Sequence, residues 1–410
     1  MRPLALICAI SACLAGNAPS DDALLLARIR ARMIENLGRL PDYTCVQTIE
    51  RATRHSPRDS WRTEDLVRLE VAYVGDRELF GYPGGDQLDE AEVTRLVPTG
   101  AIGSGDFALL ARGVFENPGA QLTVDGERNF EGRPAIRCDY VVPVSASTYR
   151  LRVPPHEAVV GYRGSFWVDR ATLDLLRFEV NAERIPLSLG LSSSRIATDY
   201  QQMTFGDSRF SLPQTSELMV GSLTGWEMRN RTRFASYRQF RGESAIVFDD
   251  GAGAQRVAAA PPAHRAFSVK LPRDFSASLT LQTAIDSAAA AIGDPVRFRL
   301  ERDLKHRNTT VIPKDAIFNG RIIRLDRRDE GYAVAFRLES VEFGDFRADL
   351  RSRRNVFSVS DRRDDSDQGP GFGSALLPRE DRGAGGLITV LTDHLRWPKG
   401  FRFSLRSHLP

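Results

Sequence analysis

Apolar residues recur every four positions from Leu25 through Ile29 and Met33 to Leu37, while Arg28, Arg30 and Arg32 fall mostly off that face. This period predicts an amphipathic helix over Asp21 to Leu40. Asp21 and Asp22 suit its N-terminal dipole, and Pro41 ends it. From Tyr43 to about Asp250 the period shortens to two. Leu66 to Val74 sets Val67, Leu69, Val71 and Tyr73 against Leu66, Arg68, Glu70 and Ala72, so one face is strongly apolar. Gly164 to Val180 reads as a hairpin. Phe166 and Val168 alternate with Ser165 and Trp167, and Asp169-Arg170-Ala171-Thr172 supplies a turn through side-chain-to-backbone hydrogen bonds. Further strands are expected over Arg195 to Phe205, Leu218 to Val220 and Glu227 to Phe240, with breaks at Gly206-Asp207 and Leu212-Pro213. Ser104 to Phe115 departs from this rhythm as a short helix carrying Phe107, Leu110, Ala111 and Val114 on one side. Such a helix either covers a curved sheet with a guest beneath it or simply closes a core.

Residues 250–266, rich in Ala, Gly and Pro, read as a linker. A second β-rich unit follows over 267–410, interrupted by a charged, glycine-rich stretch at 361–386 that lacks periodicity and is expected to form a mobile loop. The expected last strands are Leu387 to Leu391 and Phe401 to Leu405. The fold class is thus mainly β with some helix (α+β). It comprises an incomplete antiparallel β-barrel with helices over 19–249, then a second small β-barrel-like domain.

Before the first helix, Arg2, the apolar run Leu4 to Leu14 and small residues 15–18 have the layout of a secretory signal peptide (residues 1–18), too short to span a bilayer. The expectation is an exported protein, periplasmic or outer-membrane associated. Ile10-Ser11-Ala12-Cys13 also fits a lipobox loosely, which leaves a lipid anchor at Cys13 as the alternative to free secretion. With Cys8 and Cys13 in the leader, only Cys45 and Cys138 remain. In an oxidising compartment they are expected to form a disulfide, worth about 4 kcal/mol in the chain-entropy account.

Composition narrows the function classes. Net charge is +3, and only four of the 56 basic residues are lysines. The arginines are spread along the chain among Asp and Glu, so nucleic-acid binding has no support. After the leader no apolar stretch is long enough to cross a membrane as a helix. The six histidines lack ligand spacing, and no Gly-x-Ser-x-Gly elbow occurs. The glycines at 369–373 have no strand and helix around them to cradle a phosphate. The Asp361, Asp364, Asp365 and Asp367 cluster misplaces the glycine and glutamate of a calcium loop. Glu339 and Glu342 read as surface charges on a strand rather than a glycosidase pair. No catalytic residue, metal or cofactor is expected.

Two resemblances accompany this reading. The order of helix, Tyr43-Thr44-Cys45-Val46, mid-domain helix, the Gly164 to Val180 hairpin and a strand ending in Ser211-Leu212-Pro213 resembles the outer-membrane lipoprotein carrier (LolA-like) superfamily. Leu40-Pro41-Asp42-Tyr43-Thr44-Cys45 is also similar to the opening of an uncharacterised secreted bacterial family. The first resemblance implies a half-barrel around an apolar cavity. The second unit resembles the C-terminal β-barrel of TrbI-like conjugation proteins in Leu279-Thr280-Leu281, Gly293-Asp294-Pro295-Val296, Val311 to Ala316 and Gly320-Arg321. That family has glycine where Asp315 stands, and aspartate tolerates the left-handed turn. The resemblance implies the fold and not the channel role.

The leading functional expectation is that the half-barrel binds a lipid or the acyl chain of a lipoprotein, gaining about 0.8 kcal/mol per buried methylene. The expected ligand-binding residues are Phe107, Leu110 and Val114 on the short helix and Phe166, Val168 and Phe178 on the hairpin. The same residues would equally fill a closed core. The alternative is a non-enzymatic envelope module that binds a protein partner and has no ligand cavity.

Overall fold

The computed structural model describes residues 20–85, 88, 96, 109–153, 155–239, 271–351, 354–359, 378–379 and 387–409. The expected signal peptide, the linker, Phe107, the Asp361 to Asp367 cluster and most of 361–386 lie outside the described residues. Helix α1 spans Asp21–Gly38 and buries Ile29, Met33 and Leu37. Ser20 caps it, its Oγ accepting from the Ala23 N–H at 3.2 Å. Leu25, the first residue of the expected apolar face, is only partly buried.

The elements that follow are β1 (Tyr43–Arg54), β2 (Arg62–Val74), β3 (Arg77–Gly81), α2 (Leu109–Phe115), β4 (Gln121–Phe130), β5 (Arg133–Val142), β6 (Arg150–Val153), β7 (His156–Val159), β8 (Gly161–Asp169), β9 (Leu175–Glu183), β10 (Leu191–Phe205), β11 (Ser208–Ser222) and β12 (Glu227–Gln239). Ten of these strands form one antiparallel sheet in the order β3-β2-β1-β12-β11-β10-β9-β8-β5-β4. It curls into an open half-barrel. Its two edge strands, β3 and β4, are consecutive in sequence, and the segment that joins them carries α2. The chain therefore crosses the opening of its own half-barrel at that point.

Period-two patterning explains the faces. Val67, Leu69, Val71 and Tyr73 of β2 are all buried at 0–1% exposure, as expected. The β8–β9 turn is held as expected by Asp169, whose Oδ1 accepts from the N–H groups of Ala171 (2.8 Å) and Thr172 (3.0 Å). Leu212-Pro213 does not break the sheet. Pro213 lies inside β11 opposite Tyr200, at a register shift between Asp199 and Tyr200. A bulge accommodates a residue without an N–H, so the strand continues through it.

The expected Cys45–Cys138 disulfide is absent: both cysteines are free and buried. Cys45 lies on β1 and Cys138 on β5, with β12, β11, β10, β9 and β8 between them in the sheet. Six strand steps amount to roughly 29 Å along the sheet, whereas a bridge needs Cα atoms within about 7 Å. Cysteine count and compartment suggested a pair; strand order separates it.

The second sheet is built from β13 (Asp274–Leu281), β14 (Ile285–Asp286), β15 (Pro295–Leu300), β16 (Leu304–His306), β17 (Thr309–Ile312), β18 (Ile317–Arg328), β19 (Gly331–Phe343), β20 (Phe346–Asp349), β21 (Arg354–Val359), β22 (Pro378–Arg379), β23 (Leu387–Val390), β24 (Arg396–Trp397) and β25 (Arg402–His408). Its main path runs β21-β25-β13-β15-β18-β19-β23-β22, with β20 beside β19, while β14–β24 and β16–β17 pair separately. The sheet curls until β21 lies against β19 and β23. Phe298, Phe336, Phe357, Phe403 and Trp397 fill its interior with ring centroids 5.1–6.2 Å apart. Asp315 adopts φ 67°, the left-handed turn anticipated for it.

The two sheets dock through backbone and arginine contacts. Ile292 forms a parallel bridge with Val67, donating to Leu66 O (2.8 Å) and accepting from the Arg68 N–H (2.7 Å). At the neighbouring Gly293 (φ 100°) a Cβ would sit 2.2 Å from Arg68 O, so only glycine permits this approach. Arg321 donates to Pro83 O (2.7 Å) and Gly293 O (3.1 Å) and pairs with Glu339. One hydrophobic cluster runs through both sheets.

Candidate functional site

The helices pack on the apolar face of the half-barrel. Val114 on α2 and Phe166, Val168 and Phe178 on the central hairpin are buried at 0–1% exposure. Leu110 is partly buried against the same cluster. Phe166 and Phe178 are direct cross-strand partners. Phe115 of α2 packs edge-on against Phe166 with centroids 5.0 Å apart, and Tyr140 stacks on Phe178 at 5.3 Å. The five expected residues that are described therefore belong to one apolar cluster.

Two tyrosines give this cluster a polar rim. The Tyr140 hydroxyl donates to Glu179 O (2.7 Å) and the Tyr162 hydroxyl to Gly113 O (2.9 Å), tying β5 and β8 to β9 and α2. Burial pushes the Tyr140 hydroxyl well above the ordinary phenol range, and that of Tyr162 to about 12. Both are donors at neutral pH.

The helices are fastened to each other by reciprocal arginines. Arg30 of α1 donates to Phe115 O (2.7 Å) and Asn117 O (2.6 Å), at the C-terminal end of α2. Arg112 of α2 donates to Leu37 O (3.0 Å), near the C-terminal end of α1, and to Asp76 (2.7 Å) beyond β2. Each guanidinium meets carbonyls at or just beyond a helix C-terminus, where the dipole favours positive charge. Arg112 thereby ties α2 across the opening to the β2–β3 turn. Beneath the two helices remains a void of about 30 Å³, lined by Met33, Leu37 and Ala111 with Leu175, Tyr200 and Phe210 of the sheet. That holds one water and no acyl chain.

A much larger space lies on the opposite, polar face of the same sheet. A groove of about 880 Å³ runs over β2, β1, β12, β11, β10 and β9, with Ala289 of the second unit among its lining residues. Arg68, Arg177, Arg195, Arg231 and Arg233 line it together with Glu50, Asp199 and Glu217. Among the described residues no group of three His, Cys, Asp or Glu side chains could hold a metal ion. Glu339 and Glu342 lie on one strand on either side of a register shift and pair separately with Arg321 and Arg347.

No protein-family model and no curated protein matches the chain. Among solved structures it is similar to an outer-membrane lipoprotein-sorting protein domain from Vibrio parahaemolyticus (12% identity, TM-score 0.29, covering 53% of this chain and 92% of that one). It is also similar to a LolA superfamily protein from Nitrosomonas europaea (8%, TM-score 0.27, 52% and 93%) and to the Mycobacterium tuberculosis lipoprotein LppX (10%, TM-score 0.21, 54% and 99%). At these scores the similarities decide nothing about the site. The comparisons give no support to a TrbI-like assignment of the second unit.

Sequence reasoning passed over Phe115, Tyr140 and Tyr162. Ile136, Cys138, Tyr140 and Val142 alternate on β5, and this period-two signal marks Tyr140 as inward. The groove was passed over too, because its arginines read one by one as solvated charges. The alternation of Arg229, Arg231 and Arg233 along β12 is the signal that sets them on one face.

Proposed function

We propose that the chain is an exported cell-envelope protein that holds an apolar ligand, a lipid or lipoprotein acyl chain, between α1, α2 and the half-barrel. The observation that carries this reading is the way the half-barrel is closed. Its edges are bridged by the segment bearing α2, and the helix pair rests on apolar side chains, fastened by two arginines. No strand ladder joins β3 to β4, so the helices can swing out without breaking the sheet. Opening would enlarge the void beneath α1 and α2, and the displaced face would offer Val114, Phe115, Phe166 and Phe178 to a guest. A site for an acyl chain needs roughly 300 Å³ or more, so binding requires that movement. Among the described residues no helix is long and apolar enough to cross a membrane.

The test is native mass spectrometry and solvent extraction of the protein purified after export. An acyl-chain species that co-purifies and is released on denaturation supports the reading, as does saturable uptake of a fluorescent fatty acid. Reproducible absence of lipid, with no fatty-acid uptake, overturns it. That result would favour the second reading, an envelope interaction module, which the completely buried state of Val114, Phe166 and Val168 also suits.

A further inference from the structure

The polar groove carries a site of its own. Strand register sets one row of side chains across its floor: Arg68 on β2, Thr48 on β1, Arg233 on β12, Thr215 on β11, Asp199 on β10 and Arg177 on β9. Neighbours in such a row lie about 5 Å apart and share a face. Most of the charges are matched within the protein. Arg68 pairs with Asp294, Arg177 with Glu179 and Asp199, Arg195 with Glu179, and Arg231 with Glu217. Arg233 is the exception. It is exposed, it stands between two threonines rather than beside a carboxylate, and it has no ion-pair or hydrogen-bond partner among the described residues.

We propose that this groove binds a phosphate ester, with Arg233 as the anchor of its phosphoryl oxygens. A guanidinium presents paired donors that match a phosphate bidentately. Thr48 adds a further donor, because its Oγ1 accepts from Arg68 Nε (3.5 Å) and keeps its own proton free. Thr215 instead donates to Asp199 (3.2 Å), which fixes the far side of the row. The flanking acids restrict the class. Glu50 meets a cation only at 3.9 Å, from Arg229, and lies with Glu217 on the next row, flanking Arg231, so a polyphosphate reaching that row would meet carboxylates. A single phosphate whose other substituent is neutral or cationic fits this arrangement. The volume suits such a molecule or a lipid headgroup. The site lies on the sheet face away from α1 and α2 and does not depend on an apolar ligand there.

The probes are glycerophosphoethanolamine in solution, followed by phosphorus NMR, and vesicles of phosphatidylethanolamine, followed by co-sedimentation. The wild-type protein is expected to bind at least one of them. Arg233→Gln should weaken that binding about tenfold or more, and Thr48→Val by a smaller factor. Arg406→Gln, an exposed arginine of the second sheet, should leave it unchanged, with circular dichroism confirming that every variant is folded. Arg233-dependent binding of the soluble probe alone identifies a free phosphodiester; binding of vesicles alone identifies a lipid headgroup. No binding of either probe, or equal binding by wild type and Arg233→Gln, overturns the proposal.

Discussion

The first sheet leaves its edge strands β3 and β4 unjoined and bridges the gap with helix, whereas the second curls until β21 lies against β19 and β23. The interiors differ accordingly. In the second, aromatic rings from β15, β19, β21, β24 and β25 interlock, so each ring is held from several strands at once. In the first, rings from the sheet meet rings and aliphatic side chains from α2 and α1, and a small void persists where the helices meet the strands. The close approach of β21 to β19 and β23 and the interlocked rings hold the second sheet curled; side-chain packing and two arginines hold the helices on the first.

This comparison is most exposed in the cores. Phe336→Ala removes a ring that touches Phe298, Phe357, Trp397 and Phe403, which stand on four other strands. It should cost about 5 kcal/mol, the upper end for such truncations. Phe178→Ala in the half-barrel should cost about 3 kcal/mol, because α2 can settle toward the space it leaves. Urea denaturation of both variants checks this. Equal costs would remove the distinction between the interlocked interior and the helix-covered one.

A smaller effect tests the lid itself. Arg112→Ala removes donors to Leu37 O and Asp76, worth about 1.5 kcal/mol for hydrogen bonds to or from charged groups. Hydrogen exchange should quicken in α1 and α2 while β18 and β19 keep their protection. Uniform loss of protection over both sheets would mean that the helices are an inseparable part of one core, which the continuous hydrophobic cluster through the sheets makes a real contest.

Much of the fold was legible in the sequence, and the reasons are local. Ile29, Met33 and Leu37 mark the buried face of α1 because helix period and burial coincide there. Val67 to Tyr73 mark β2 by strict alternation, and Asp169 marks its turn by chemistry internal to the turn. What was not legible depends on order and register. Pro213 reads as a break until Tyr200 is found opposite it at a bulge. Arg233 reads as an ordinary surface charge until Thr48 and Thr215 are found on either side of it. The buried Arg51–Asp65 pair, with Arg51 Nε 2.7 Å from Oδ1, is invisible for the same reason: its partners are brought together by the register of β1 and β2. Among the expected ligand residues, alternation set Phe166, Val168 and Phe178 on one face, yet alternation cannot tell a lined cavity from a filled core.

The cysteines give the smallest effect and the sharpest check on strand order. Burial, with Glu78 adding to it, drives the Cys45 thiol far above its ordinary value of 9.0, and burial with Asp139 drives Cys138 to about 12. Both folded values lie above the unfolded one. The contribution of these thiols to folding is therefore fully present below pH 9 and is lost as pH rises toward 12, because the unfolded chain ionises first. Thiolate is the species that alkylates, so at pH 8 iodoacetamide should leave the native protein unmodified. Denaturation without reductant should then expose two reactive thiols at Cys45 and Cys138. Reductant should leave the melting temperature unchanged, whereas a bridge worth about 4 kcal/mol would move it by several degrees. A denatured, unreduced protein that fails to alkylate at both positions would place β1 and β5 side by side, and the ten-strand order that separates them would have to be abandoned.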